Sequence, residues 1–384
     1  MTTPPPGDSV VLAAARVVTD AGVLAPGWVR VEEGLIAGVG EGTAPRAATG
    51  ADAVDLGDAT LAPGFVDLHQ HGGGGAAYTD GPDAARTAIA AHRRCGTTSM
   101  VASLVADTVD RLEAQVRALA PLVETGDLLG VHLEGPWLSP AHRGAHDPAR
   151  LIAPTADDVR RLLAAAPGTV RMATIAPELD GALDAVAALS AAGVLAAVGH
   201  TDATLDQGRA AVAAGARVGT HLFNAERPLH HREPGVILAL LEAPEVVVEL
   251  IADGVHVHPA MVRHAAASAA GGFALVTDAM AAAGAPDGAY RLGPLQVEVA
   301  GGVARVAGTD TIAGSTLTLD RAVAFAVREA GLAVDTAIRA ASTTPADVLG
   351  RTDIGRLAPG ARADAVVLDA ALTVTRVMRA GAWV

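Results

Sequence analysis

The chain has 384 residues, of which 51% are hydrophobic and 18% charged, enough apolar material for a large core and too much for disorder, collagen or a coiled coil. Its formal charge is −14, with no basic stripe interleaved with aromatics, which argues against a nucleic-acid partner. All 28 basic residues are arginine, and the absence of lysine excludes Schiff-base and PLP chemistry, a Walker A lysine and a carbamylated-lysine metal bridge.

The N-terminus, Met1-Thr-Thr-Pro-Pro-Pro-Gly-Asp8, carries neither a basic nor an apolar leader segment, and the single cysteine, Cys95, cannot form an internal disulfide. A cytoplasmic location is the expectation. Ser9–Asp20, Gly27–Gly40, Ala51–Leu56 and Ala363–Val384 alternate apolar and polar residues around turn signals, so short antiparallel strands are predicted at both chain ends. A small composite β-sandwich domain, residues 1–58 plus 352–384, follows from their shared character.

Between them lie eight short apolar runs, each followed by an Ala-rich helical stretch. They are Leu61–Leu68, Thr97–Leu104, Leu128–Leu133, Val170–Ile175, Val194–Val198, Val218–Leu222, Val246–Ile251 and Phe273–Val276. Continuous apolar runs predict strands buried on both faces, and eight repeats predict a (β/α)₈ TIM-like barrel over residues 59–351. A doubly wound open sheet is the alternative, although no G-x-G-x-x-G follows the first strand. The longest uncharged run, Ala185–Gly199, is broken by Gly193 and is too short to span a bilayer, so no membrane partner is expected.

Barrel chemistry sits at the C-terminal ends of strands. All but two of the 13 histidines fall in five windows, 67–75, 130–147, 199–203, 220–235 and 252–259. His69-Gln-His71 follows the first strand, and residues i and i+2 of a strand point the same way. Glu134, Glu178, His200 and His221 end later strands, and His256 and Asp278 close the series. Several N/O donors converging on one barrel mouth suit a divalent metal such as Zn²⁺ or Fe²⁺ in an open catalytic site. Each taken singly has a plainer reading: a core hydrogen-bonder for each His, a loop ion pair for Glu134, a helix N-cap for Asp278.

Pro63-Gly-Phe-Val-Asp-Leu-His-Gln-His71, His132-Leu-Glu-Gly-Pro136, Val198-Gly-His200 and Thr277-Asp278 together resemble the amidohydrolase superfamily. Arg143-Gly-Ala-His146-Asp-Pro148, His221-Leu-Phe-Asn-Ala225, Arg232-Glu-Pro-Gly235, Ile251-Ala-Asp-Gly-Val-His256 and Ala313-Gly-Ser-Thr316 narrow the resemblance to its N-acetylglucosamine-6-phosphate deacetylase family. The resemblance runs in order from about residue 9 to the C-terminus.

It implies a metal-dependent hydrolase that splits an amino-sugar phosphate into acetate and glucosamine 6-phosphate, working as a homodimer. By it, Glu134, His200 and His221 hold the main metal, and His69 and His71 match members that bind a second, giving one or two ions per subunit. Asp278 matches the general base and acid, and His146 the residue that polarises the acetyl carbonyl. Ala145, Asn224, Ala225, Arg232, His256 and the Ile312-Ala313-Gly314 segment match substrate contacts, with Arg232 the matching arginine, from its own or a neighbouring subunit. The galactosamine epimer, another N-acyl amide and a non-catalytic sugar-phosphate sensor stay open as alternatives.

Overall fold

The computed structural model describes residues 9–45 and 53–384, so Met1–Asp8, read above for a leader, lies outside the described residues. By its contacts the chain divides into two compact units. One runs to Asp67 and takes in His92–Ser99 and Leu319–Val384; the other comprises Leu68–Ala91 and Met100–Thr318.

Eight strands form one parallel sheet: β1 (Phe65–Asp67), β2 (Thr97–Val105), β3 (Gly130–Glu134), β4 (Val170–Ile175), β5 (Leu195–Val198), β6 (Ala216–Gly219), β7 (Val247–Ile251) and β8 (Phe273–Val276). Each is followed in the chain by a helix: α1 (Pro82–Arg94), α2 (Val109–Glu124), α3 (Ala156–Ala165), α4 (Ala182–Ala191), α5 (Leu205–Ala214), α6 (Gly235–Glu242), α7 (Pro259–Ser268) and α8 (Leu319–Arg328). The sheet runs in chain order from β1 to β8. Its ends meet where the Asp278 N–H donates to the His69 carbonyl at 2.8 Å and Gln70 bridges Ala279, which closes the (β/α)₈ barrel. Threonines start the helices where the loops end. Thr108, Thr155 and Thr204 each accept a first-turn N–H, the last in a capping box with Gln207.

In the first unit, a four-stranded sheet (35–41, 27–32, 10–14, 53–55) and a six-stranded one (382–383, 374–379, 365–368, 60–63, 16–19, 22–24) share one apolar core. Leu12, Val29 and Val31 from the first sheet and Val17, Leu61 and Val367 from the second build it, so both chain ends contribute. Two pairings depart from the antiparallel expectation: 10–14 with 53–55 and 16–19 with 60–63 are parallel, because the chain between them crosses over rather than turning back.

Two further departures matter for the site. The run Leu61–Leu68 is not one strand: Thr60–Pro63 joins the six-stranded sheet, and the barrel strand begins only at Phe65. Gly64 makes the switch, at a point where a Cβ would collide with Thr98 Oγ1. A three-stranded antiparallel insertion, Gly288–Leu292, Leu295–Ala300 and Val303–Val306, follows β8 and was not anticipated from the sequence. It packs Leu292, Val297 and Val299 against Val105 and Met280 and delivers the segment from Ala307 to Gly314.

Candidate metal centre

All the candidate ligands lie in the second unit, on the C-terminal ends of the barrel strands or just past them. Gly199 lets the chain leave β5 tightly, since a Cβ there would sit 2.6 Å from that of Thr220. The next residue, His200, has φ +49°; His221 has +29° and Asp278 +46°. Left-handed backbone at residues with a Cβ is costly and persists where the surroundings over-determine it. Here it turns three candidate ligands inward from strands that have just ended.

Two triads result. Glu134, His200 and His221 form one, with Oε1 to Nε2 distances of 3.2 and 3.1 Å and the two Nε2 atoms 3.1 Å apart. His69, His71 and Asp278 form the other, with Nε2 atoms 3.3 Å apart and Asp278 Oδ1 3.5 and 3.2 Å from them. Glu134 belongs to both neighbourhoods: its Oε1 lies 3.3 Å from His69 Nε2, and its Oε2 3.1 Å from His71 and 3.3 Å from His146.

The far side of each ring decides what faces inward. His200 Nδ1 donates to the His142 carbonyl at 2.9 Å, and His71 Nδ1 to the Ser103 carbonyl at 3.1 Å. His69 Nδ1 faces Glu249 Oε2 at 3.1 Å. With the proton on Nδ1, each ring in its neutral form presents an Nε2 lone pair to the centre. Ring nitrogens and carboxylate oxygens crowded at about 3 Å fit a cation; edges of a tetrahedron with 2.0–2.1 Å bonds are about 3.3 Å long. The donor set therefore suits a divalent metal, and the sharing of Glu134 suits two.

Protons compete with a cation for those lone pairs. Burial pulls His71 down, but hydrogen bonds to Asp278 and Glu134 outweigh it and lift it to about 9. Burial likewise works against the charged forms of Glu134 and Asp278, yet the surrounding histidines hold both carboxyls below their ordinary range. His146 is different. Burial dominates and lowers it to about 4, so it is neutral at pH 7. Its Nδ1 accepts the Ala106 N–H at 3.2 Å, which puts the ring proton on Nε2, the atom turned toward the centre. It is a donor among acceptors.

A cavity of about 410 Å³ opens over the triads. His71, Glu134, His146, His200, His221 and Asp278 line it, together with Ala145, Asn224, Ala225, His256, Ile312 and Gly314. His69 lies fully buried behind this lining, as does Ala313. Arg232 is exposed on the segment before α6 and is not part of the wall. His256 is held by Asp253, whose Oδ2 sits 2.7 Å from His256 Nδ1; burial works against its charge, but that contact raises it above the usual histidine range. Glu178 accepts from the Asp202 N–H at 2.7 Å, and Asp202 takes a bidentate pair from Arg227 at 3.0 and 2.9 Å.

Sequence reasoning missed four participants. Glu249 is one; a lone charge inside the apolar run Val246–Ile251 was the signal for it. His132 is another: it lies under the centre, hydrogen-bonded to Ser103 Oγ at 2.9 Å and Thr174 Oγ1 at 2.8 Å, and burial keeps it neutral. Asp310 and Thr311, brought to the cavity by the unanticipated insertion, complete the lining.

The amidohydrolase family model matches residues 60–384. The chain belongs to the amidohydrolase family. Among solved relatives of this amidohydrolase, the Mycobacterium smegmatis N-acetyl-D-glucosamine-6-phosphate deacetylase is 51% identical, with a TM-score of 0.95 over 98% of this chain and 99% of that one. That structure is an aspartate-to-alanine variant in complex with N-acetyl-D-glucosamine-6-phosphate. The Thermotoga maritima N-acetylglucosamine-6-phosphate deacetylase is 31% identical, with a TM-score of 0.87 over 97% and 99% of the two chains. The N-acetylgalactosamine-6-phosphate deacetylase of Escherichia coli O157:H7 is 37% identical over 373 residues, 96% of this amidohydrolase and 97% of its relative.

Proposed function

We propose that this amidohydrolase removes the acetyl group from N-acetyl-D-glucosamine 6-phosphate, giving D-glucosamine 6-phosphate and acetate. One observation carries the reading: Glu134 is shared by two histidine triads under a sugar-sized cavity that also holds a carboxyl, Asp278, and a neutral histidine donor, His146. The relatives' activities support it.

Glu134, His200 and His221 would hold one ion and His69 and His71 a second, with Zn²⁺ and Fe²⁺ as the metals that suit imidazole and carboxylate. A divalent ion bound there supplies Lewis acidity, easing loss of a proton from water and polarising the amide carbonyl. Asp278 takes the water proton as the water oxygen bonds to the acetyl carbon. His146 donates from Nε2 to the carbonyl oxygen as negative charge develops on it. The C–N bond then breaks, and Asp278 returns its proton to the leaving nitrogen.

On the sugar side, Asn224, Ala225, His256 and the Ile312–Gly314 segment would orient the hexose. Among the described residues no arginine lines the cavity. Arg232 fits as the phosphate-binding arginine of a homodimer, reaching into the neighbouring subunit's cavity. No helix among the described residues is long and apolar enough to cross a membrane, and the proposed site of action is the cytoplasm.

A second reading, the galacto epimer as substrate, has a specific observation behind it: the relative with that activity covers almost the whole chain. Acetate release from both N-acetylhexosamine 6-phosphates and from unphosphorylated N-acetylglucosamine tests the two together. The protein is assayed as isolated, after chelation, and after return of Zn²⁺, Fe²⁺ or Co²⁺. Chelator-sensitive turnover of the gluco phosphate supports the proposal; turnover confined to the galacto epimer transfers it to the second reading, and none with any metal overturns both.

A further inference from the structure

β7 reads Val247-Val-Glu-Leu-Ile251, and its one carboxyl, Glu249, is fully buried. A buried carboxyl is tolerated when its partners are fixed. Glu249 Oε2 lies 3.1 Å from His69 Nδ1 and accepts the His221 backbone N–H at 3.2 Å, while its own carbonyl accepts the Leu222 N–H at 2.8 Å. Oε1 has no hydrogen-bond partner among the described residues. Ladder pairing between β6 and β7 stops at Gly219–Val248, so Glu249 catches the chain where it leaves β6 for the left-handed turn at His221.

His69 belongs to one triad and His221 to the other. Glu249 is not among the atoms that could ligate a metal, nor does it line the cavity. We propose that Glu249 is a positioning residue that sets both triads at once: one oxygen orients the His69 ring through Nδ1 and holds the backbone that aims His221. The inference rests on the metal-site reading above. It makes the two sites dependent on a side chain that touches neither ion.

Zn²⁺ binding to chelated, metal-free protein, measured by competition with a chromophoric chelator, tests it without recourse to turnover. Partners behind a metal ligand typically govern affinity by roughly 10- to 100-fold. Glu249→Ala is expected to weaken Zn²⁺ by that factor at the Glu134–His200–His221 triad, and to do so equally in a His69→Ala background, because the hold on His221 does not pass through His69. His69→Ala alone should leave that triad's affinity within roughly threefold of wild type. If Glu249→Ala adds nothing in the His69→Ala background, the coupling is overturned. Wild-type protein that binds no Zn²⁺ overturns the metal reading itself.

Should the alanine variant fail to fold, Glu249→Gln carries the test. Its amide oxygen still accepts from His221 but removes the charge behind His69. The loss should then be confined to the site containing His69 and stay within about tenfold. Equal losses at both sites, or none at either, overturn the proposal.

Discussion

The floor and the rim of the cavity are built on opposite plans. On the floor, His69, His71, Glu134, His200, His221 and Asp278 are all buried, and three of the four rings are fixed from behind by a carbonyl or carboxyl. Beneath them Ser103, His132, Thr174 and Thr220 continue the hydrogen-bonded packing. On the rim, in the loop that leaves the cavity wall at Ala225 and runs on to α6, Leu229, His230, His231 and Arg232 are exposed, and Arg232 makes no ion pair among the described residues. Bond-breaking needs dipoles and ligands oriented beforehand, in a place where water cannot screen them. Recognition of a charged, soluble substrate has to begin in water, where loops are free to change.

That contrast predicts effects that shrink from floor to rim. Asp278→Asn should lower kcat by roughly 10³- to 10⁴-fold while the Glu134–His200–His221 triad keeps its ion. Turnover within tenfold of wild type, beside unchanged metal content, would remove Asp278 as acid and base. His146→Ala should cost roughly 10²- to 10³-fold in kcat with little change in KM, the signature of a donor used mainly in the transition state.

Glu226 stands between the two regions, and its prediction concerns stability. It is buried next to the Phe223 N–H with Oε2 unpartnered among the described residues, and burial pushes its carboxyl up to about 8. The unfolded chain releases that proton near the ordinary 4.5, and the folded chain holds it to about 8. The unfolded state thus binds fewer protons across that window, and stability falls as pH rises through it. Glu226→Gln keeps an acceptor for Phe223 and removes the titration. Between pH 6 and 8 the wild type should lose about 2–3 kcal/mol relative to the variant, measurable by denaturant unfolding. Parallel pH profiles for the two proteins would mean that Glu226 is ionised in the folded chain.

The smallest effect belongs to the rim. Arg232→Ala should raise KM for the phosphorylated sugar roughly tenfold, about the worth of one charged hydrogen bond, and leave the unphosphorylated sugar unaffected. An equal rise for both sugars would remove phosphate from the account of Arg232.

Much of the floor was legible because strand ends follow from hydrophobic runs, and the candidate ligands stand at the ends of those runs or just past them. His69, His71, Glu134, His200 and His221 could be named that way, with Asp278 after the last run. The insertion was less visible, although Leu295-Gln-Val-Glu-Val-Ala300 alternates apolar and polar residues after a Gly293-Pro294 turn. Its loop brings Asp310 and Thr311 into the cavity wall, which no local pattern announces. The composite sandwich was readable from alternation at both chain ends, but the parallel pairings within it were not. Alternation reports which face is buried, not which neighbour a strand takes.

What the sequence determined by itself was the set of elements and the chemistry available at their ends. Period, turn residues and the identity of a side chain are local properties, and they survive without knowledge of the fold. Only the tertiary structure decided that Glu134 is shared by both triads, that His146 carries its proton on Nε2, and that Glu249 holds residues on two different strands. Each of these depends on which groups lie within about 3 Å across the barrel, from His69 to Glu249 for one, at separations in sequence that no local pattern records. The left-handed turns at His200, His221 and Asp278 belong to the same class: the isolated chain would avoid them, and the closed barrel imposes them.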